Sequence, residues 1–228
     1  MKRVISFSLW GDNKTYTHGA IQNAILAKSL YPDFECWYNV HEPSVPKDIV
    51  HTLSGMDNVK VLYKHGDITN TKPMTWRFEA IDDPSVELML SRDTDTRFLL
   101  REKLAVYEWI ESGKLFHIMR DHPHHRFPIL GGMFGTRKID SIPSWADKIR
   151  QCVEQHGPRD YDQTFLKDII YPFIVANSLV HTSFFRYGGE LCVPFPIAYD
   201  GEYHFVGEYV YHDNTRSVEH IEILRNSL

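Results

Sequence analysis

The front of the chain alternates short apolar runs with helix-like stretches, and this alternation constrains the fold more than any other feature. Apolar runs cover residues 3–10, 34–40 and 59–63, and a fourth begins at Val86. Runs of this length are typical of buried strands. The alternation predicts an α/β fold with a mostly parallel sheet, right-handed crossovers and helices on both faces.

Helix patterns fill the gaps between these runs. Residues 17–30 repeat apolar side chains at helical spacing, and Pro32 marks the end of that helix. A helix of about two turns fits between Pro46 and Gly55. Residues 75–81 predict a third, short helix before the fourth strand.

The fourth run stops at a pair of acids. Residues 86–97 read VELMLSRDTDTR, so Asp93 and Asp95 directly follow a predicted buried strand. Sheets of α/β proteins place their ligand sites beyond the carboxyl ends of the strands. Two carboxylates one residue apart can both reach a hard divalent cation if the strand ends between them. Because Asp and Thr are also common in solvated turns, the pattern alone does not decide whether these acids bind a metal ion.

Composition excludes several classes of function. With 228 residues, 43% hydrophobic content and a net charge of −5, the chain suits one medium domain and not a nucleic-acid-binding protein. The three cysteines show no Cys-x-x-Cys spacing and fit a reducing compartment. No signal-peptide core and no transmembrane segment is predicted. We therefore expect a cytoplasmic protein.

The second half of the sequence is more mixed. A helix is predicted over residues 101–112 and a strand over residues 115–119, which ends at Arg120 and Asp121. Residues 128–135 contain too much glycine and proline for an ordinary core, so we expect the backbone to approach a ligand there. No Gly-x-Gly-x-x-Gly follows the first strand, which disfavours a nicotinamide or flavin enzyme.

Capping patterns predict two later helices. Ser144-Trp-Ala-Asp147 opens one, and Asp160-Tyr-Asp-Gln163 opens the next, whose length Pro172 should limit. Strand-like pieces follow at residues 179–182 and 203–206. We see no repeat and no linker, and therefore expect a single domain.

An ordered set of motifs runs through the chain. It comprises residues 8–11, Arg77, residues 91–97, 119–123, 129–133, 162–163 and 205–208. Together these motifs resemble the GT-A fold glycosyltransferases that use sugar nucleotides, above all bacterial polysaccharide transferases and transferase domains encoded by chlorella viruses. The resemblance covers almost the whole chain, and it is the combination of these motifs that is specific to the family.

The resemblance implies a single GT-A domain over residues 1–228, with a nucleotide-binding half at 1–97 and a donor-sugar and acceptor half at 98–228. It implies an enzyme that moves a hexosyl or deoxyhexosyl group from a UDP-sugar donor to a glycan or glycoprotein acceptor. Such a domain can also be a module of a longer transferase. A virus-encoded relative would act in the host cytoplasm.

The resemblance also implies a metal site, in which Asp93 and Asp95 hold Mn²⁺ or Mg²⁺ across the diphosphate. His204, in the sequence His-Phe-Val-Gly, would complete the site, and His181 competes for that role. A divalent ion stabilises the charge that grows on the leaving diphosphate. Either histidine equally fits an ordinary hydrogen-bonded residue of a strand.

The donor site implied by the resemblance surrounds these acids. Its residues are Ser8, Leu9, Trp10, Gly11, Arg77, Arg92, Asp93, Thr94, Asp95, Arg97, Gly131 and Gly132. The loop after the first strand would bind uracil and ribose. Trp10 in that loop also fits an ordinary residue of the hydrophobic core. The arginines are candidates for binding the diphosphate, with surface or capping roles as the alternative.

Two acids are candidates for catalysis, Asp162 and Asp121. An inverting transferase needs a carboxylate to accept the proton of the acceptor hydroxyl, and a retaining one does not. Asp162 lies in the first turn of its predicted helix, where any acid is favoured by the helix dipole. The stereochemical outcome therefore stays open.

Two other functions compete with a transferase. Asp93-Thr-Asp95-Thr96 fits the nucleophile loop of haloacid-dehalogenase-type phosphatases, but that loop normally follows the first strand of the domain. The other competitor is a carbohydrate- or nucleotide-binding module without turnover. The histidines of residues 122–125 suggest zinc only weakly, because no fourth ligand lies nearby in the sequence.

Overall fold

The computed structural model describes residues 1–68, 72–139, 142, 144–156 and 161–228. These described residues form eight strands. In chain order the strands are β1 (Lys2–Leu9), β2 (Glu35–His41), β3 (Val59–Lys64), β4 (Val86–Ser91), β5 (Phe116–Arg120), β6 (Phe134–Arg137), β7 (Ser178–Thr182) and β8 (Leu191–Val193). All of them join one sheet, in the order β3-β2-β1-β4-β6-β5-β7-β8.

The sheet is mostly parallel. Only β6, which lies between β4 and β5, runs antiparallel to its neighbours, whereas every other pair of adjacent strands described in the sheet is parallel. The predicted α/β fold is therefore confirmed, and the front four strands have the order 3-2-1-4 of a Rossmann-like half.

Helical segments connect the strands. The α-helices are α1 (Lys14–Leu30), α2 (Lys47–Ser54), α3 (Leu100–Ser112), α4 (Trp145–His156), α5 (Tyr161–Thr164), α6 (Tyr171–Ile174) and α7 (Val218–Arg225), with 3-10 helices at Lys72–Asp82 and Val175–Asn177 and a π-helix at Phe165–Ile170. Among the described residues, no helix is both long enough and apolar enough to cross a lipid bilayer.

Buried side chains alternate between the two faces of the sheet. On β1, Ile5, Phe7 and Leu9 join a cluster that includes buried residues of α1, α2 and α3. Val4, which points the other way, joins a cluster with the 3-10 helix Lys72–Asp82 and α4. This alternation follows from the two-residue period of a strand, and it confirms that helices cover both faces.

Several predicted elements differ from the structure. The short helix predicted at residues 75–81 is present as part of a 3-10 helix, whereas residues 203–206, which were predicted as a strand, lie in a loop where Tyr203 has a φ of 56°. The strands β6 and β8 and the helix α7 were not predicted. Asp160, which was expected to open a helix, lies outside the described residues.

The prediction that Pro172 ends its helix is wrong. Helical backbone continues beyond it to Asn177, because Pro172 stands in the first turn of α6, where a missing N–H costs little. The preceding turn is π-helical, and the Tyr171 N–H donates to the carbonyl of Leu166. The irregular turn therefore accommodates the proline.

Candidate functional site

A cavity of about 560 Å³ opens at the carboxyl ends of β1 and β4, which are neighbours in the sheet. At this point the strand order reverses direction, and such a switch point is where open α/β sheets bind ligands. The predicted donor residues that line the cavity are Ser8, Leu9, Trp10, Gly11, Arg77, Asp93, Thr94 and Asp95. The structure therefore brings most of the predicted set together in one place.

The turn that carries Asp93 and Asp95 is fixed by its backbone. The side-chain amide of Asn23 in α1 donates to the carbonyl of Asp93 at 3.4 Å. On the other side, the N–H of Val210 donates to the carbonyl of Asp95 at 2.7 Å. We call this segment, residues 93–95, the acid turn. These two contacts use main-chain oxygens, so neither of them engages a carboxylate of the acid turn.

The two acids repel each other electrostatically. Burial and the charge of Asp93 raise the pKa of Asp95 to about 7. A bound cation would relieve that repulsion and favour the ionised form of both groups. Paired carboxylates that face a cavity are ligands that Mg²⁺ and Mn²⁺ prefer, and substrate phosphates commonly supply the remaining ligands. The acid turn therefore fits a divalent metal ion.

Arg77 lies behind the acid turn and links it to Asp162. Its guanidinium forms an ion pair with the carboxylate of Asp93 and approaches Oδ2 of Asp162 at 3.5 Å. The backbone N–H of Arg77 donates to Ser8 Oγ at 3.0 Å. Since only 5% of Arg77 is exposed, its charge acts at short range in a region of low dielectric constant.

The glycine-rich backbone, which was expected to approach a ligand, packs against the charged side chains of the site. A Cβ at Gly132 would overlap the carboxylate of Asp93, and a Cβ at Gly131 would lie 2.8 Å from Asp162 Oδ2 and would overlap Arg77. Any larger residue at these positions would displace the ion pairs that Arg77 forms with Asp93 and Asp162. The two glycines therefore support the site without lining the cavity.

Asp162 is buried and does not line the cavity. Only 1% of it is exposed, and its Oδ1 accepts the N–H of Gln163 at 2.9 Å. Burial raises the pKa of Asp162, and the charge of Asp93 adds to that effect while Arg77 opposes it. The side-chain amide of Gln163 donates to the Ile129 carbonyl at 2.9 Å. Asp162 therefore stands next to the cavity, behind Arg77.

The other two predicted arginines lie away from the cavity. Arg92 is 2% exposed, and its Nε donates to Glu102 Oε1 at 2.6 Å inside the core. Arg97 donates from Nη1 to the carbonyl of Thr96 at 2.9 Å and lines a separate, smaller pocket. Arg92, which was expected to bind the diphosphate, does not line the cavity, because its side chain is buried against Glu102.

Asp121, the other candidate for catalysis, does not line the cavity. Its carboxylate is fully buried and accepts two bonds from Arg101, both at 2.9 Å. The hydroxyls of Ser183 and Tyr199 each donate to Oδ1 at 2.7 Å, and the Val206 N–H donates to Oδ2 at 3.0 Å. These donors occupy the hydrogen-bond acceptor positions of the Asp121 carboxylate. Asp121 therefore anchors the C-terminal loop.

The structure does not bring either predicted histidine to the acid turn. His204 lines the smaller pocket that also contains Arg97, and its Nδ1 lies 2.8 Å from Asp200 Oδ2. His181 is fully buried in β7, where its Nδ1 lies 2.8 Å from Nε2 of His117. Within the described part of the chain, no group of three or more acidic, histidine or cysteine side chains could hold a metal ion. The acid turn would thus depend on ligands from a substrate.

The histidines of residues 122–125 serve the packing of the C-terminus. His122 Nε2 lies 3.0 Å from the carbonyl oxygen of His220 in α7, and the ring of His122 stacks on Phe205 with centroids 4.3 Å apart. The N–H of Asp121 donates to Nδ1 of His125 at 3.0 Å. These contacts fix α7 and the preceding loop to the end of β5.

A polar network fixes the loop after β1. Ser44 Oγ accepts the N–H of Gly11 at 2.8 Å and contacts Nδ1 of His41 at 2.7 Å. The other ring nitrogen of His41 lies 3.1 Å from the carbonyl of Gly66. Gly11 has a φ of +72°, a conformation that favours glycine. The loop that forms one wall of the cavity is therefore held from behind by Ser44.

Several residues of the site were not predicted from the sequence. Tyr16 and Met74 line the cavity, and no spacing in the sequence connects them with the acids. Gly19 could have been noticed, because glycine inside a predicted helix often marks a close backbone approach. A Cβ at Gly19 would overlap the carbonyl of Thr94, so α1 packs directly on the acid turn.

Comparison with known proteins supports the fold. No protein-family model and no curated protein sequence matches the chain. A glycosyltransferase involved in the glycosylation of the major capsid of PBCV-1 is similar in structure, with a TM-score of 0.51, 14% identity, and coverage of 80% of this chain and 82% of that one.

A second solved structure is similar to the same degree. It is the 4-diphosphocytidyl-2C-methyl-D-erythritol synthase from Anaerococcus prevotii, with a TM-score of 0.51, 12% identity, and coverage of 79% of this chain and 87% of that one. At these identities the likeness concerns the fold. The chain therefore has a GT-A-like α/β fold.

Proposed function

We propose that the protein is a metal-dependent glycosyltransferase that moves a sugar from a UDP-sugar to a glycan or glycoprotein acceptor. The observation that carries this proposal is the convergence of Asp93, Asp95 and Arg77 on one cavity at the β1/β4 switch point. The likeness in fold to a capsid glycosyltransferase supports it. The loop after β1 would bind the nucleoside, and the acid turn would face the diphosphate.

In the proposed reaction, the bond between the sugar and the diphosphate breaks and a new bond forms to an acceptor hydroxyl, which loses its proton. A divalent ion held by Asp93 and Asp95 would act as a Lewis acid for the departing diphosphate. Arg77 adds fixed positive charge at the same edge of the cavity, and its ion pairs keep it oriented before substrate arrives. Asp162 is the remaining candidate for accepting the proton.

A thermal-shift screen tests the proposal. UDP-, GDP- and CMP-sugars would be added with and without Mn²⁺, and a ligand that binds only the folded state raises the melting temperature. We expect the largest shift with a UDP-sugar in the presence of Mn²⁺. The absence of a shift with every sugar nucleotide, together with hydrolysis of p-nitrophenyl phosphate, would favour the phosphatase alternative.

Nucleotidyl transfer is a second candidate, because the erythritol synthase named above is equally similar in fold. Such an enzyme would take a nucleoside triphosphate and release pyrophosphate. Adding CTP and UTP with Mg²⁺ to the same screen distinguishes the two reactions. A shift with a triphosphate and none with any sugar nucleotide would replace glycosyl transfer by nucleotidyl transfer.

Substituting Asp162 tests its role in the reaction. Asp162→Asn keeps the oxygen that accepts the Gln163 N–H, and it removes the charge that faces Arg77. We expect transfer to slow by about 100-fold or more, as is typical for loss of a general base, while UDP still binds with Mn²⁺. The exposed Asp168 on the same helical region provides the matched control, Asp168→Asn. Unchanged transfer in Asp162→Asn would reduce Asp162 to a structural residue.

Substituting Ser44 tests the support of the nucleoside loop. Ser44→Ala removes the acceptor of the Gly11 N–H, and one hydrogen bond contributes roughly 1 kcal/mol. We therefore expect the Kd for UDP with Mn²⁺ to rise about fivefold by calorimetry, with little change in melting temperature. Ser29→Ala, at an exposed position of α1, should leave the Kd unchanged. Equal affinity in Ser44→Ala and the wild type would show that the loop needs no such support.

A further inference from the structure

A short ribbon near the C-terminus lies against the acid turn. Val210 and Arg216 form an antiparallel bridge, and the Tyr211 N–H donates to the Thr215 carbonyl at 3.0 Å. The N–H of Val210 also donates to the carbonyl of Asp95 at 2.7 Å. The ribbon and the acid turn are therefore joined through the backbone.

The ribbon presents two tyrosines on one side. Side chains two residues apart in an extended segment point the same way, and Val210 between the tyrosines is only 6% exposed. Tyr211 is 42% exposed, and Tyr209 is partly exposed. Their rings lie 4.9 Å apart at 83°, in an edge-to-face pair. The aromatic side therefore faces outward.

Tyr16 extends this aromatic surface to the cavity. It lies in the first turn of α1, lines the cavity beside Asp95, and is 38% exposed. Burial, followed by the charges of Asp95 and Tyr209, raises the pKa of Tyr16. We call Tyr16, Tyr209 and Tyr211 the tyrosine wall.

We propose that the tyrosine wall binds the acceptor of the reaction as a pyranose sugar. This inference rests on the proposed function, because an acceptor must approach the donor from the open side of the acid turn. The C–H groups on one face of a pyranose pack against aromatic rings, and the phenolic hydroxyls can bond to sugar hydroxyls. Aromatic surface with a few polar groups is typical of sites for small ligands.

The location favours the acceptor over the nucleobase. Trp10, Leu9 and Met74 already provide apolar surface inside the cavity. Tyr209 and Tyr211 stand outside the lining of the cavity, on the ribbon that borders Asp95. A ligand stacked on them would lie next to the diphosphate end of the donor site.

Saturation-transfer NMR with a panel of methyl pyranosides tests the inference without requiring a donor. We expect at least one methyl pyranoside to bind the wild type, and Tyr209→Ala to weaken that binding by about tenfold, as loss of an aromatic contact predicts. Tyr209→Phe keeps the ring and should retain most of the affinity. Phe173→Ala removes a 60% exposed aromatic ring elsewhere on the surface and serves as the control.

Calorimetry of UDP with Mn²⁺ on the same variants separates this inference from the proposed function. Tyr209→Ala should bind UDP as the wild type does. Wild-type affinity of Tyr209→Ala for the pyranoside, or no binding of any pyranoside to the wild type, would overturn the inference. An equal loss of UDP and pyranoside binding would also overturn it, because the tyrosine wall would then bind the nucleotide. Pyranoside binding that depends on Tyr209, without any UDP binding, would refute only the proposed function.

Discussion

Asp95→Asn should abolish the metal dependence of UDP binding while leaving the fold intact. The substitution removes one of two carboxylates from the acid turn, and the contact of that turn with Val210 uses the backbone carbonyl, which asparagine retains. Even outer partners of metal ligands contribute about 10–100-fold to affinity, so we expect the Kd for UDP in Mn²⁺ to rise by more than about 100-fold. Calorimetry measures this directly.

The control for this experiment is Asp57→Asn, which changes an exposed acid that pairs only with Lys28 among the described ion pairs. It should bind UDP with Mn²⁺ as the wild type does. Circular dichroism of Asp95→Asn should match the wild type as well. A folded Asp95→Asn protein that retains metal-dependent affinity would show that the acid turn holds no metal.

Asp121→Asn should destabilise the protein by about 3–5 kcal/mol, the usual cost of removing one partner from a buried ion pair. The reason is that Arg101 is only 7% exposed and would retain its charge without a counter-charge. An amide can also accept fewer of the hydrogen bonds that the carboxylate receives. Urea denaturation monitored by fluorescence measures the loss.

Ser183→Ala provides a graded comparison, because it removes one neutral donor to the same carboxylate and should cost only about 1 kcal/mol. Similar small losses in both variants would mean that the charge of Asp121 contributes little. Such a result would also reopen a role for Asp121 at the substrate, which its burial now argues against.

The front of the fold could be predicted from the sequence because each element there has a local signal. β1 to β4 are apolar runs of strand length, and α1 carries alanines at helical spacing. β6 has no such signal, since Phe134–Arg137 follows a stretch rich in glycine and proline and gains its place only by pairing with β4 and β5. α7 is short, and its cap, Ser217, is recognisable mainly once the helix is known.

The residues of the site also fall into those that have a local signal in the sequence and those that do not. The acid turn and the loop after β1 could be predicted because they follow strand ends, and strand order then brings them together. Arg92 and Asp121 also flank strand ends, but Glu102 and Arg101 neutralise them from α3. No spacing in the sequence reveals those partners. A charged residue at a strand end therefore does not by itself show whether its side chain faces a cavity or a partner in the core.

The dependence of UDP binding on a divalent ion tests the central claim most directly. The acid turn provides a pair of carboxylates at the cavity, and no glycine-rich phosphate loop follows β1 to hold a diphosphate by its backbone N–H groups. Calorimetric titration of the wild type with UDP in Mn²⁺ and in EDTA should therefore show binding only with the metal. Equal affinity for UDP under the two conditions would contradict the account.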